Sequence, residues 1–149
     1  MLTHKTLSLA EAELILDAAQ AKSEEMGVPH SICVADNAGY PIGLRRLDGG
    51  KVTTVQIAEN KAFTAAGHRR KTHTFTNTYP GEEAWGLFTQ HYGRITVFVG
   101  GYPIEVDGKV VGGIGVSGGN GEQDISACEA GIEAFEKYLD DQESQGKKD

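Results

Sequence analysis

The chain has 149 residues, 39% of them hydrophobic and 23% charged, a balance that suits one soluble globular domain with its own core. Its 14 Lys and Arg stand against 21 Asp and Glu, a net charge of -7, which disfavours nucleic acid or an anionic membrane surface as the main partner. Acidic residues interrupt what would be the apolar core of a signal peptide, and no run is long enough to span a bilayer, so a cytoplasmic location is expected.

Ser8-Leu-Ala-Glu11 has the form of a capping box, and Leu9, Ala12, Leu16, Ala19 and Met26 continue as an apolar stripe up to Gly27. The first element is therefore a helix. Residues 30–36 and 40–47 flank Asn37-Ala38-Gly39, which reads as a hairpin turned by Asp36 and Gly39. Thr53 or Thr54 is placed to cap a second helix running to about Gly67, with Val55, Ala58, Ala62, Ala65 and Ala66 as a small-residue stripe suited to lying close on a sheet. Residues 68–93 hold three of the five histidines and the only tryptophan without a sustained period, and read as irregular.

Regularity returns in three expected strands, at 95–99, 100–106 and 109–117, the last two joined by a tight Asp107-Gly108 turn. A final amphipathic helix puts Ile125, Cys128, Ile132, Phe135 and Leu139 on one face. Residues 140–149 read as a charged, disordered tail, leaving 1–139 as one domain. The order helix, hairpin, helix, irregular region, three strands, helix predicts an α/β (α+β) fold with one mostly antiparallel sheet covered by helices. Cys33 and Cys128 stand in apolar surroundings without ligand-like spacing and are expected as buried thiols in a reducing compartment.

Six of the twenty glycines fall within residues 110–124. They do not make a phosphate cradle: no Gly-Lys-Ser/Thr follows, and Glu122 and Asp124 place negative charge at the start of the last helix. Ser117 lacks the Gly-x-Ser-x-Gly setting of a nucleophile elbow.

Five motifs in order carry a family resemblance: Asp36-Asn-Ala-Gly39, Arg46-Leu-Asp48-Gly, Lys61-Ala-Phe-Thr-Ala65, Gly100-Gly-Tyr-Pro-Ile104, and Val111-Gly-Gly-Ile-Gly-Val-Ser-Gly-Gly119 with Gln123-Asp124. Together, over roughly residues 7 to 139, they resemble the haem-degrading, HbpS-like family, which includes GlcG proteins and the C-terminal domain of PduO. The resemblance implies a profilin-like three-layer sandwich, with a sheet of about five strands flanked by helices, and assembly into homo-oligomers. It also implies haem as a ligand, or a small carboxylated metabolite in catabolism, while the family's iron ligands do not fall on its shared glycine motifs.

Several residues are candidates for that chemistry. Thr54, Lys61 and His68 are spaced by seven, within about 20° of one line on a helix. Lys61 would supply a cation, His68 a base or iron ligand and Thr64 a hydrogen bond, or the line is a solvated edge. Residues 67–73 concentrate positive charge, with Arg70 and His73 suited to haem propionates or a diacid, or to a subunit contact. His68, His73 and His91 are the candidate iron ligands, though their spacing fits no metal motif.

Arg46 and Asp48 form either an ion pair or a fork for a substrate carboxylate with a proton-transfer partner. Gly113 and Gly115, with Gly100 and Gly101, would frame a slot in which a flat ring meets bare backbone. Two function classes result: a haem-binding module, or a cofactor-free catabolic enzyme in which Arg46 and Lys61 hold a small acid while His68 or Asp48 transfers a proton. An oligomeric accessory subunit without a ligand is a third.

Overall fold

The computed structural model describes residues 1–147. Its elements are α1 (Leu9–Met26), β1 (Ser31–Asp36), β2 (Pro41–Arg46), α2 (Thr53–His68), a short helical turn α3 (Gln90–Gly93), β3 (Gly101–Val106), β4 (Lys109–Ser117) and α4 (Gly121–Gly146). The strands form one antiparallel sheet in the order β2-β1-β4-β3. Helices α1 and α4 pack together on one face and α2 covers the other, giving three layers.

Strand alternation explains the layers, because successive residues point to opposite faces. Ile32 and Val34 of β1, Tyr102 and Ile104 of β3, and Ile114 and Val116 of β4 build the large core under α1 and α4, with Ile15, Leu16 and Phe135. The residues between them are small. Cys33 and Ala35 meet Ala58 and Ala62 of α2, and Gly101, Gly113 and Gly115 lie beneath the same helix. Large side chains thus face one pair of helices, while bare backbone faces the other.

The helix ends follow local chemistry. Ser8 and Glu11 form the reciprocal capping box, and Gly27 closes α1 in the left-handed region at φ 68. Neither Thr53 nor Thr54 caps α2: Val52 holds that position without a side-chain bond, and the Thr54 hydroxyl turns to Lys51 O and Ser31 Oγ instead. Asp36 Oδ1 accepts from the N–H groups of Ala38 and Tyr40, which sets the expected hairpin turn.

Two further expectations need correction. The sheet has four strands among the described residues, since 95–99 is not a strand. Its backbone bonds to a side chain: the Thr96 N–H donates to Thr64 Oγ1 at 2.9 Å, and the Thr64 hydroxyl lies 3.1 Å from Arg94 O. The segment is held by α2 rather than by a neighbouring strand. The expected disordered tail is also displaced, because α4 continues to Gly146; residues 148 and 149 lie outside the described residues.

Both cysteines are free and buried, as expected. Burial is the main reason that the Cys33 thiol is pushed up to about 12, with the charge of Glu59 adding to it.

Candidate functional site

Lys61 lies at the centre of the molecule, 2% exposed. Its ammonium donates to Val116 O at 2.7 Å and to Asp124 Oδ2 at 3.2 Å. Asp124 Oδ1 accepts from the Gly119 N–H at 2.9 Å and pairs with His30 Nε2 at 3.0 Å. His30 Nδ1 shares a 2.8 Å hydrogen bond with Ser23 Oγ, which is also 2.8 Å from Ala19 O. This buried chain ties α1, the start of β1, α2 and α4 together. Desolvation lowers the Lys61 pKa, against the pull of the Asp124 carboxylate. Lys61 is thus an internal cation with its partner in place.

The glycines do not frame a slot. A Cβ on Gly115 would lie 2.0 Å from Ala58 O, one on Gly113 2.6 Å from Ala62 O, and one on Gly101 2.6 Å from Lys61 O. One on Gly100 would meet Lys61 Nζ at 2.5 Å. The space is filled by the backbone of α2, which the absent side chains let approach. Thr64 is likewise buried and engaged: its hydroxyl lies 2.8 Å from Asn60 O in α2 and accepts from the Thr96 N–H.

Four of the candidate residues at the surface divide between two clefts. In the first, of about 380 Å³, His68 from the end of α2 and His91 from α3 share the lining with Tyr40, Phe63 and Arg94. Phe63 packs edge-on to His91 at 5.5 Å, and the Arg94 guanidinium sits 3.8 Å from the Phe63 ring centre. A groove of about 340 Å³ adjoins it through Ile95 and adds Phe88 and Phe98. His91 and Tyr92 occupy the left-handed region at φ 51 and 59, a conformation that costs non-glycine residues energy. The His68 pKa is lowered, chiefly by burial and further by His91 and Arg70.

In the second cleft, of about 730 Å³, Arg46 and Asp48 at the end of β2 face the last turn of α1. They do not form an ion pair, which was one of the two arrangements open to them. His73 belongs to neither cleft and stacks at a tilt on Tyr102, 5.8 Å away. Arg70 folds back onto Phe75 and bonds to Thr74. No cluster of three metal-ligating side chains exists among the described residues.

Residues 7–133 match the family described as haem degrading protein HbpS-like. The chain belongs to the HbpS-like family. It is 39% identical over 131 residues to a 15.0 kDa protein of Citrobacter freundii from the dhaT-dhaS intergenic region, covering 87% of this chain and 92% of the relative. Corrinoid adenosyltransferase PduO of the same organism is 33% identical over 87% of this chain, which spans only 39% of PduO. Among solved structures, protein ORFY of Klebsiella pneumoniae superposes with a TM-score of 0.88 at 31% identity, covering 91% and 94% of the two chains. The PduOC:heme complex superposes with a TM-score of 0.82 at 29% identity, covering 87% and 94%.

This HbpS-like chain therefore unites His68 with His91 and Arg46 with Asp48, but keeps the two pairs in separate clefts and buries Lys61. The single acid/base site imagined from Arg46, Asp48, Lys61 and His68 is not assembled. Sequence reasoning missed His30, Ser23 and Asp124 as one unit. Asp124 was visible as a carboxylate in the first turn of α4, yet its partner His30 is 94 residues away, and nothing local announces such a pairing. Phe63 and Arg94 were missed because aromatic and basic residues near a loop are common.

Proposed function

We propose that this HbpS-like protein binds haem in the cleft between His68 and His91. The observation that carries the reading is the convergence of two imidazoles on one aromatic-lined cleft beside an arginine. The residues fit the group: an imidazole can ligate iron, the exposed Tyr40 ring offers an apolar face to a macrocycle, and Arg94, seated on Phe63, offers a cation to a propionate. When bound, haem would supply redox and ligand-binding chemistry at its iron. His68 would present an unprotonated ring nitrogen, because its lowered pKa keeps it neutral near and below the ordinary imidazole value. The haem complex of PduOC, a solved relative, supports the same class of ligand. On this reading the protein works as a homo-oligomer in the cytoplasm, where Cys33 and Cys128 stay reduced.

Titration with haemin, followed by absorption spectroscopy, tests it. Binding is expected to saturate with a sharp Soret band that changes in His68→Ala or His91→Ala and is unaffected by His73→Ala. Non-saturating binding indifferent to all three substitutions would reduce it to adsorption on apolar surface.

The same titration has an expected pH dependence. The neutral imidazole is the ligating form, and the lowered pKa of His68 preserves it at pH 6.5. Affinity should hold from pH 8 to about 6.5 and fall only on further acidification. A loss that begins well above the ordinary imidazole value would argue against His68 as the ligand.

A further inference from the structure

The second cleft is independent of the haem reading. It is formed by the last turn of α1, the Val28-Pro29 link and the end of β2, and at about 730 Å³ it is within the range of small-molecule sites. The other cation around it is spoken for, while Glu24 keeps its negative charge. Arg45 is held by Glu13 at 2.5 Å, Asp17 at 2.7 Å and Gln20 at 3.0 Å. Glu24 accepts from Gln20 Nε2 at 2.9 Å.

Arg46 and Asp48 are different. Neither has a side-chain hydrogen bond or ion pair among the described residues, although they stand two positions apart on the same wall. Their segment is nevertheless fixed. The Leu47 N–H donates to His30 O at 2.9 Å and the Gly50 N–H to Leu47 O at 2.9 Å. Gly50 packs so tightly that a Cβ there would lie 3.1 Å from Arg46 Cγ and 2.8 Å from Pro29 O. The root of the arginine stem is thereby seated, and His30, on which the segment hangs, is anchored by Ser23 and Asp124. The backbone that carries this cation and this anion is therefore fixed, and only the two side chains remain to be ordered on binding.

We propose that this cleft is a ligand site for a small zwitterion, whose carboxylate meets the Arg46 guanidinium and whose ammonium meets the Asp48 carboxylate. A plain carboxylate would satisfy Arg46 but leave Asp48 facing it, and a plain amine would do the reverse. Only a molecule with both charges complements both side chains.

Three probes of matched length test this by calorimetric titration: 4-aminobutyrate, butyrate and butylamine. Saturable millimolar binding of 4-aminobutyrate is expected, with butyrate and butylamine each weaker by roughly tenfold or more. Arg46→Ala and Asp48→Asn should each weaken 4-aminobutyrate by a similar factor, while His68→Ala leaves it unchanged. Both altered positions are exposed, and a wild-type circular dichroism spectrum would confirm that the variants fold. Equal binding of the three probes, no saturable binding, or an Arg46→Ala protein that binds 4-aminobutyrate like the wild type would overturn the proposal.

Discussion

Asp124→Ala is expected to lower the unfolding free energy by about 3–5 kcal/mol, the cost of breaking a buried ion pair from one side. The carboxylate is 5% exposed and serves three groups at once: Lys61, His30 and the Gly119 N–H. Without it, the ammonium retains only Val116 O, and the imidazole faces a cavity. Asp124→Asn should be milder, because the amide oxygen can still accept from Gly119. Replacing both charges, as in Lys61→Met with Asp124→Leu, should recover part of the loss, since no uncompensated charge is then buried. Urea unfolding of the four proteins decides it. If Asp124→Ala unfolded within 1 kcal/mol of the wild type, the chain of buried polar groups would be a passenger rather than a tie between layers.

Gly115→Ala should also be severe, although it adds a single methyl group. That carbon would sit 2.0 Å from Ala58 O and 2.5 Å from Ala62 N, both backbone atoms of α2 that cannot rotate aside. The helix has to lift from the sheet, which breaks contacts along its whole length. Overpacking usually costs about 1–3 kcal/mol, and a clash with two backbone atoms belongs at the upper end of that range or beyond. Gly67→Ala is the control. It lies in the same helix with nothing within 4 Å of its added Cβ, so it should be neutral or gain up to about 1 kcal/mol. Equal melting temperatures for the two variants would mean that the glycine strand is not set by the approach of α2.

That glycine strand also marks what the sequence could and could not disclose. The capping box at Ser8, the Asp36 and Asp107-Gly108 turns and the strand alternation are local, so they were legible from a few neighbouring residues. The small-residue stripe of α2 correctly indicated a helix lying flat on a sheet. The glycines opposite it suit an opening for a ring equally well, because a missing side chain signals close approach without saying what approaches. Only the register of β4 beneath α2 shows that the occupant is the protein's own backbone.

Residues 95–99 failed as a strand for a comparable reason. Their β-branched and aromatic composition satisfies the local preference for strand, but no strand pairs with them among the described residues, and the Thr96 N–H is taken by the hydroxyl of Thr64, some thirty residues earlier. The candidate site was legible residue by residue and not as a constellation. His68 and His91 each stand out in the sequence, but their shared cleft depends on how 69–99 folds back over α2. Arg46 and Lys61 were paired as anchors for one acid, whereas strand and helix geometry sends one to a surface cleft and the other into the interior.

The way in which this rim is fastened has a dynamic consequence. The stretch between α2 and β3 has no place in the sheet ladder, and two buried hydroxyls pin it near its ends: Thr72 to the backbone of Gly101, and Thr64 to that of Thr96. Between those pins the chain is largely exposed, so it can open without disturbing the glycine-to-helix contact below. Amide hydrogen exchange should accordingly divide the molecule into two kinetic populations. Most of residues 75–93 would exchange through small local openings, while β1, β4 and the facing turns of α2 would exchange only when the whole domain unfolds.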